Sequence, residues 1–502
     1  MARSLPAIGA MHEKHILIIG GGLAGLSAGI YARASGFRAT IIEHNLALGG
    51  VCTAWERGPY TIDGCIHWLT GGSFDRVYQE LGIYPAVPVH VLEHFATYRH
   101  VREGLEIPIT RNIPAMFEKL AALSPGDAEE LGRMEQMSNR IAEIDMGMDT
   151  PPELATFRDG LSMLWDMRHD LGAVMHFRKA LGDYCNEHIQ DPKLRGFFTK
   201  IIPDEGATLF LLMMFGYLGR GFFSRPKGGS AAFRDALIAS YHRLGGEERL
   251  HTTVDEILVQ NDRACGVRLS DGTMMDADIV ISTSSAPETV LRLLGGRYGA
   301  EDTRKRLETW KLFQPIVMAS FGVAMPFSDM PSTLIIDGIE PFEVGGFKND
   351  SLYVRIYNDD PSFAPPGHSV VQVMMATDYA WWAKRGTRYV AEKDAMAEIA
   401  LKQLEAHLPG IGSAVRITDI ATPLTFWNAA RSYKGAYEGW MPNADSFFGH
   451  IKKTLPGLSS FYMAGQWVEP GGGVPTALMS GRQAIQILCA DEGRDFAVPR
   501  PV

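Results

Sequence analysis

The most regular hydrophobic pattern of the chain lies near its first residues. The apolar run Ile16–Ile19 ends at Gly20, about 16 residues of helix-forming character follow, and Arg38–Glu43 again has strand character. A strand, a glycine turn, a helix and a second strand form a β-turn-α-β unit. This unit predicts the opening of a dinucleotide-binding fold.

Similar strand patterns return much later in the sequence. Strand patterns occur in "LHTTVDEILVQ" and in "ACGVRLSDGTMMDADIVISTSSAP". The turn Ser270–Gly272 predicts a hairpin that joins "CGVRL" to "MMDADIVI". "SSFYMAGQW" predicts a strand before a glycine-rich turn and a helix over "PTALMSGRQAIQILCADE". Strands of the nucleotide-binding type therefore recur at roughly 15–45, 248–285 and 460–490, so we expect one domain to be built discontinuously.

The intervening stretches have a different composition. They are rich in methionine and aromatic residues, as in "LFLLMMFGY" and "QVMMATDYAWWAKR". Such residues at helical spacing are typical of a core, and their concentration also suits a large apolar binding cavity. The run Ala207–Gly219 is shorter than the ~20 residues that span a bilayer, so it predicts a buried helix, a tunnel wall or an interfacial patch.

Composition narrows the functional class. The chain has 502 residues, of which 46% are hydrophobic and 21% charged, which predicts a globular protein of two or more lobes. A net charge of −10 argues against a nucleic-acid binder. The five cysteines form no CxxC pair, and the first 15 residues lack the apolar core of a signal peptide. We therefore expect a cytosolic protein without structural zinc.

The glycine cluster at residues 20–25 fits the pattern G-x-G-x-x-G. In this pattern Gly20 allows a tight turn, Gly22 lets a pyrophosphate approach the backbone, and Gly25 lets the helix pack on the strand. The pyrophosphate would lie at the helix N-terminus, where free N–H groups favour an anion. Glu43, at the end of the second strand, is suited to accept hydrogen bonds from an unphosphorylated ribose. The alternative is a plain glycine turn in another α/β fold.

The residues after Glu43 indicate which nucleotide binds. The pair Gly49–Gly50 resembles the second phosphate-contacting turn of the FAD-binding amine oxidase and phytoene desaturase superfamily, although Val51 stands where that family usually has a basic residue. "RGPYTIDGCIHWLTGG" resembles the segment near the flavin ring in carotenoid desaturases, carotenoid isomerases and retinol saturases. The position of His67 after Asp63–Gly64 is most similar to the saturase and isomerase branch.

Three later segments continue the resemblance in the family's order. They are "RPKGGSAAFRDALIASYHRLGGE", "TPLTFWNAARSYKGAYEGW" and "FYMAGQWVEPGGGVPTALMSGRQA". In the last segment Gln466 replaces the usual acidic residue, and its amide can still form a hydrogen bond with ribityl or phosphate oxygens. The backbone N–H groups of Gly473 and Val474 are suited to stabilise negative charge on a reduced flavin.

The resemblance implies an α/β fold in which a Rossmann-like FAD-binding domain is built discontinuously and carries an inserted α+β substrate domain. The predicted FAD-binding domain comprises 12–84, 221–298 and 426–495, and the predicted substrate-binding domain comprises 85–220 and 299–425. The predicted FAD-binding residues are Gly20, Gly22, Leu23, Ala24, Gly25, Glu43, Gly49, Gly50, Val51, His67, Val254, Gly465, Gln466, Gly473, Val474 and Pro475.

In this chemistry the cofactor performs the difficult step, and the protein orients a substrate bond against flavin N5. His67 is the candidate catalytic residue: it either transfers a proton, with an imidazole that titrates in a useful range, or binds substrate, or only forms a local hydrogen bond. Trp68 and Trp467 are candidate walls of the substrate pocket or parts of the core. Covalent attachment of flavin to Cys52, Cys65 or His67 is a further alternative. The sequence has neither G-x-S-x-G nor HExxH, so we expect no hydrolase and no catalytic metal.

The resemblance therefore implies an FAD-dependent oxidoreductase. Its substrate would be a hydrophobic isoprenoid or polyene molecule, which undergoes desaturation, saturation or isomerisation by hydride transfer. A flavin amine oxidase and a non-catalytic prenyl-lipid-binding protein on the same fold are the alternatives. Leu209–Gly219 would provide an interfacial face for peripheral membrane contact. The oligomeric state is left open.

Overall fold

The computed structural model describes residues 13–143, 150–156, 158–160, 165, 168, 170–447 and 449–500. Residue 12, with which the predicted FAD-binding domain begins, lies outside them. The strands span His15–Ile19, Arg38–Ile42, Ala54–Arg57, Tyr60–Asp63, Leu69–Thr70, Val89–Val91, His94–His100, Leu105–Thr110, Phe223–Pro226, Glu247–Arg249, Val254–Gln260, Arg263–Leu269, Met274–Asp276, Ile279–Ser282, Ile316–Val323, Thr333–Asp337, Phe342–Val344, Phe347–Asn349, Leu352–Ile356, Ser369–Ala376, Val415–Ala421 and Phe461–Met463. The α-helices span Leu23–Ala34, Asp75–Glu80, Ile113–Leu123, Ala128–Ile141, Leu171–His176, Leu181–His188, Pro192–Ile201, Thr208–Gly219, Gly229–Arg243, Ala300–Thr309, Tyr379–Ala383, Tyr389–Glu405, Ile411–Ala414, Pro423–Ala430 and Gly473–Asp491.

Five short strands form a parallel sheet, called here the nucleotide sheet. Their order across the sheet is Glu247–Arg249, Arg38–Ile42, His15–Ile19, Ile279–Ser282 and Phe461–Met463. Four of these strands are mostly apolar, as expected where helices cover both faces of a sheet, whereas the edge strand Glu247–Arg249 is charged. The predicted β-turn-α-β unit and the discontinuous α/β fold are confirmed.

The first helix and the final helix pack closely at the edge of this sheet. The Ser27 hydroxyl donates a hydrogen bond to the carbonyl of Leu478 at 2.6 Å. A Cβ on Gly481 would lie 2.6 Å from the carbonyl oxygen of Ala24, so a glycine is required where the two helices cross. The crossing places the N-termini of Leu23–Ala34 and Gly473–Asp491 at the same cavity.

The predicted hairpin is confirmed, but "MMDADIVI" is not one strand. Met274–Asp276 pairs with Arg263–Leu269 in a three-stranded antiparallel sheet, whereas Ile279–Ser282 joins the nucleotide sheet. The break lies at Asp278, whose carboxylate accepts the N–H of His15 at 2.8 Å. The chain therefore passes from one sheet to the other inside an apparently continuous strand pattern.

Seven strands form a second, mixed sheet, called here the large sheet. Its order is Val415–Ala421, Ile316–Val323, Ser369–Ala376, Leu352–Ile356, Thr333–Asp337, His94–His100 and Leu105–Thr110. All neighbours are antiparallel except Thr333–Asp337 and His94–His100. The strands of the nucleotide sheet and of the large sheet lie in the two predicted sets of domain ranges, and the boundaries themselves stay a prediction.

The apolar run at 207–219 forms the buried helix Thr208–Gly219. A Cβ on Gly216 would overlap the carbonyl oxygen of Ser138, so this helix packs directly against Ala128–Ile141. Phe210, Met213 and Tyr217 of the same helix line the cavity, so the run is also part of the cavity wall. The expectation that Leu209–Gly219 provides an interfacial face is wrong, because most of its side chains are buried. Within the described part of the chain, no helix combines the length and apolar character needed to cross a membrane.

Candidate active site

One large cavity adjoins the glycine-rich turns. Its volume is about 970 Å³, at the upper end of the ~300–1,000 Å³ typical of ligand pockets. One part of its lining comes from Gly20, Gly22–Ala24, Glu43, Gly49–Cys52, Gly465–Trp467 and Glu469–Ala477. The other part is mainly apolar and comes from the helix Thr208–Gly219 and from the large sheet and its connections, with Lys200, Asp204 and Glu205 as charged members.

The three motif glycines have different structural reasons to be glycine. Gly20 has φ +97°, and a Cβ there would lie 2.7 Å from the hydroxyl of Thr283. A Cβ on Gly25 would overlap the carbonyl oxygen of Gly20. Gly22 has φ −71°, and its Cβ would meet nothing nearer than the Cα of Gly50 at 3.8 Å. The fold itself therefore requires glycine at positions 20 and 25, whereas at position 22 only a ligand in the cavity would require it.

Two helix N-termini at the cavity lack a side-chain cap. Leu23–Ala34 begins after Gly22, and Gly473–Asp491 begins after Gly472, neither of which supplies a capping side chain. The first backbone N–H groups of a helix have no intrahelical partner, and together with the helix dipole they attract an anion. Both ends are therefore suited to bind negatively charged groups of a ligand.

Glu43 is a buried carboxylate at the end of the second strand. It accepts hydrogen bonds from the N–H groups of Gly21 at 2.7 Å and Asn45 at 2.9 Å, and it lies 3.0 Å from Nδ1 of His44. Burial tends to raise the pKa of Glu43, but the hydrogen bonds from His44, Asn45 and Gly21 outweigh it and lower the pKa. An ionised carboxylate with lone pairs left over can accept hydroxyl groups of a ribose.

The second glycine turn lies against the first. The N–H of Gly49 donates to the carbonyl of Gly21 at 2.8 Å, and a Cβ on Gly50 would lie 3.0 Å from the Cα of Gly22. Val51 packs on an apolar cluster and lines the cavity, so it brings no charge. Arg431, which the sequence analysis did not single out, provides a cation in the same lining.

The segment that carries His67 is fixed by Asp63. This buried carboxylate accepts hydrogen bonds from the hydroxyl of Ser230 at 2.5 Å, the N–H of Ser230 at 2.7 Å and the N–H of Cys65 at 2.9 Å. Burial raises the pKa of Asp63. Two motifs that are separate in the sequence, "TIDGCIHW" and "PKGGS", therefore meet at one buried carboxylate.

A buried arginine fixes His67 from the other direction. Nε of Arg225 donates to the carbonyl of His67 at 2.8 Å, and Nη1 donates to Asp359 at 2.6 Å. Asp359 also accepts a hydrogen bond from Arg355 at 2.7 Å. The ring of His67 lies nearly parallel to that of Tyr353, with 6.1 Å between the ring centroids.

The imidazole of His67 is neutral at physiological pH. Burial, followed by the positive charges of Arg355 and Arg225, lowers the pKa of His67 to about 3. The expectation that this ring titrates in a useful range is therefore wrong. Its buried Nε2 has no hydrogen-bond partner among the described residues, which leaves it available to a ligand in the cavity.

The run after the strand Phe461–Met463 forms the remaining polar lining. The N–H of Gly465 donates to the hydroxyl of Ser480 at 2.7 Å, and Nε2 of Gln466 donates to the carbonyl of Tyr437 at 2.8 Å. Trp467 lies edge-on to Trp440, with 5.3 Å between the ring centroids. Trp68 lies edge-on to Phe95, also with 5.3 Å between the ring centroids. Both predicted tryptophans are therefore cavity wall and core at once.

The structure brings most of the predicted site residues to this one cavity. Those in the lining are Gly20, Gly22, Leu23, Ala24, Glu43, Gly49, Gly50, Val51, His67, Trp68, Gly465, Gln466, Trp467, Gly473, Val474 and Pro475. Gly25 and Val254 do not line it. Gly25 lies where the first helix meets its strand, and Val254 is buried in a core cluster with Leu17. Glu438, which does line the cavity, was missed because it lies inside a motif quoted only for its resemblance.

A group of potential metal ligands lies outside the cavity. One ligand atom from each of Glu130, His176 and His188 falls within 4.8 Å of the others. The carboxylate of Glu130 already accepts hydrogen bonds from Tyr184, from His176 at 2.6 Å and from Arg133 at 2.9 Å. These hydrogen bonds account for the arrangement without an ion.

The site fits FAD. The open position at Gly22, the two uncapped helix N-termini and the ionised carboxylate of Glu43 match a pyrophosphate and an adenosine ribose. The fold and the site together define an FAD-dependent oxidoreductase. The sequence comparison gives the family: residues 23–488 match the model of the flavin containing amine oxidoreductases, and the chain belongs to this family. The predicted resemblance is thereby confirmed.

Individual relatives agree with this assignment. The chain is 25% identical to the phytoene desaturase (neurosporene-forming) of Rhodobacter capsulatus, in an alignment that covers 94% of this chain and 93% of that protein. It is also 25% identical to the 4,4'-diapolycopene oxygenase of a Methylomonas species, covering 95% of this chain and 99% of that protein. Cyclohexylamine oxidase from Brevibacterium oxydans has a similar fold, with a TM-score of 0.62, 15% identity and coverage of 96% of this chain and 100% of that one.

Proposed function

We propose that the protein acts on CH–CH or C=C bonds of a hydrophobic polyene or isoprenoid substrate. The single observation that carries this proposal is the apolar part of the cavity next to the FAD-binding turns. Its lining includes Phe210, Met213, Tyr217, Ile316 and Met374. A wall of this composition favours a long apolar molecule over a small charged amine. The names of the relatives with similar sequences, a phytoene desaturase and a diapolycopene oxygenase, support the same substrate class.

The residues of the chain have separate tasks in this proposal. The helix N-terminus after Gly22 would hold the pyrophosphate of FAD, and Glu43 would accept the ribose hydroxyls. The N–H groups of Gly473 and Val474 would stabilise negative charge on the reduced ring. When bound, FAD supplies a two-electron acceptor or donor for hydride transfer at flavin N5. His67, which is neutral, would position a ligand through Nε2 instead of transferring a proton.

The experiment is an anaerobic incubation of the purified holoprotein with polyenes, retinoids and amines, including cyclohexylamine. We expect polyenes to bleach the oxidised flavin, or reduced flavin to be reoxidised by them. The mass of the product gives the direction: a loss of two hydrogens is desaturation, a gain is saturation, and no change with a new isomer is isomerisation. Bleaching by amines alone would overturn the proposal and make the protein an amine oxidase.

A pair of variants tests whether the apolar wall selects the substrate. Met213→Lys places a charge in the cavity lining, whereas Met274→Lys places it on an exposed side chain, 66% accessible, far along the antiparallel hairpin. We expect Met213→Lys to retain FAD but to lose the reaction with polyenes, since a charge in an apolar site is costly. Met274→Lys should react like the wild type. Equal reaction rates in the two variants would contradict the assigned wall.

We propose in addition that the protein contacts a membrane surface through Leu154, Trp165, Leu171 and Met175. These four apolar side chains are exposed, and Pro152, two positions before Leu154, lines the cavity. Trp165→Ser with Met175→Ser should abolish flotation with phospholipid vesicles, whereas Val390→Ser, at another exposed apolar residue, should not. A wild-type protein that does not float with vesicles would overturn this proposal.

A further inference from the structure

Glu438 lies where the apolar and the cofactor-binding parts of the cavity lining meet. It follows Tyr437, whose carbonyl accepts the amide of Gln466 at 2.8 Å. A Cβ on Gly472 would overlap the carbonyl oxygen of Glu438. The backbone of Glu438 is thus pressed against the turn from which the final helix begins. Its side chain is part of the same lining as His67.

The carboxyl group of Glu438 has an unusual environment for an acidic group. Among the described residues, none forms a hydrogen bond or an ion pair with this carboxyl group. The titratable groups that feel its charge are Cys65, Tyr353 and Tyr437. The hydrogen bond with Cys52 and then burial raise the pKa of Cys65, burial raises the pKa of Tyr353 and of Tyr437, and the charge of Glu438 adds to each increase. These three groups are therefore neutral at physiological pH, as His67 is.

Burial raises the pKa of Glu438 to about 7. A group that changes protonation near the working pH is the most effective general acid or base, because it is available in either form and has enough driving force to transfer the proton. Glu438 combines such a pKa with a position in the cavity.

We propose that Glu438 is the proton acceptor of the desaturation direction and the proton donor of the saturation direction, an inference that rests on the proposed oxidoreductase function. Removal of two hydrogens from a CH–CH bond is a balanced step. One carbon loses hydrogen with its electron pair to FAD, the oxidant. The adjacent carbon loses a proton to the Glu438 carboxylate, and the electron pair of that C–H bond becomes the π bond. Saturation would be the reverse: the acid form of Glu438 would give the proton to one carbon, and the adjacent carbon would receive a hydride from the reduced cofactor.

The first arm of the test needs no substrate. Infrared difference spectra of the holoprotein between pH 5.5 and 8.5 should contain a carboxylic-acid C=O band that titrates with a midpoint near 7. The band should be present in the wild type and in Glu340→Gln, a variant at a side chain that is 90% exposed. It should be absent in Glu438→Gln and shifted in Glu438→Asp. A wild-type spectrum without a Glu438-dependent band near pH 7 overturns the inference.

The second arm measures a single turnover with a polyene, followed as bleaching of oxidised flavin for desaturation or as reoxidation of reduced flavin for saturation. We expect Glu438→Gln to slow this rate by about 10²–10⁴-fold, the usual contribution of a general acid or base, with unchanged FAD content and melting temperature. Glu438→Asp should retain part of the rate. The wild-type rate should rise with pH through about 7 for desaturation or fall for saturation, because the reacting form is the carboxylate in one case and the acid in the other.

The outcomes separate the two proposals. An unchanged rate and pH profile in Glu438→Gln overturns the role of Glu438 and leaves the oxidoreductase assignment intact. If no polyene reacts with the wild type, the proposed substrate is wrong, and the infrared titration alone then decides whether Glu438 holds an exchangeable proton in this cavity. If Glu438→Gln fails to retain FAD, Glu438→Asp supplies both measurements: an unshifted band together with an unchanged rate and pH profile would then overturn the role of Glu438.

Discussion

Replacing Gly22 by alanine separates the fold of the glycine turn from its function. The backbone at Gly22 has φ −71°, which alanine adopts without strain, and the added Cβ would lie 3.8 Å from the Cα of Gly50, an ordinary van der Waals contact. We therefore expect the apoprotein of Gly22→Ala to be as stable as the wild type, or more stable by about 0.4–1 kcal/mol because the unfolded chain loses freedom.

The effect on FAD should be large. The methyl group points into the space that a pyrophosphate would occupy against the backbone. At an FAD concentration about 100 times the wild-type Kd, bound FAD stabilises the wild type by about 2.7 kcal/mol. If alanine raises the Kd 100-fold, the same concentration stabilises the variant by only about 0.4 kcal/mol. The variant should thus lose about 2.3 kcal/mol of ligand-induced stability, and none of its own.

The assay compares urea unfolding of the wild type and Gly22→Ala with and without FAD, together with the flavin content after purification. Gly25→Ala is the matched control, since its Cβ would overlap the carbonyl oxygen of Gly20 and should destabilise the apoprotein itself. An apoprotein of Gly22→Ala that is several kcal/mol less stable, or one that retains FAD as the wild type does, would refute the reasoning.

Two further predictions concern buried charges. Glu43→Gln should weaken FAD binding in a fluorescence titration, because an amide cannot accept hydrogen bonds through both of its terminal atoms. Since the pKa of Glu43 is lowered in the native state, its contribution to stability is present above about pH 4.5 and is lost as the pH falls through the lower native pKa. The unfolding free energy of the wild type, measured in urea, should therefore fall more steeply in acid than that of Glu43→Gln. Asp359→Ala leaves Arg225 and Arg355 without their shared carboxylate and should cost about 3–5 kcal/mol of unfolding free energy. Glu340→Ala, at an exposed ion pair with Arg102, should cost at most about 1 kcal/mol.

The sequence was sufficient for those parts of the structure that depend on local pattern. The β-turn-α-β unit at residues 15–43 has apolar strands of the right length and glycines at fixed spacing. The backbone of this unit requires both features independently of contacts with the rest of the chain. The final helix could also be predicted, because its glycine turn precedes a long run of helix-forming residues. These two segments define the cofactor end of the site.

The parts that the sequence did not reveal depend on contacts between distant residues. The low pKa of His67 arises first from burial and then from the charges of Arg355 and Arg225, which are 288 and 158 positions away in the chain, so no local pattern could have predicted it. Val254 lies in a strand, as expected, but its side chain is buried in the same core cluster as Leu17 instead of lining the cavity. The raised pKa of Glu438 and its place in the cavity lining also depend on distant segments, so the sequence around residue 438 does not predict them.

The order of strands in the nucleotide sheet has a consequence for synthesis of the chain. Ile279–Ser282 is fully buried between His15–Ile19 and Phe461–Met463, but about 180 residues separate it from the latter. At ribosomal rates of about 5–20 residues per second, this apolar strand waits roughly 10–35 s with one edge unpaired. An exposed parallel edge is prone to pair with other chains. The helix Gly473–Asp491 comes later still, so its N-terminus can join the cofactor-binding turns only after residue 473 has been synthesised.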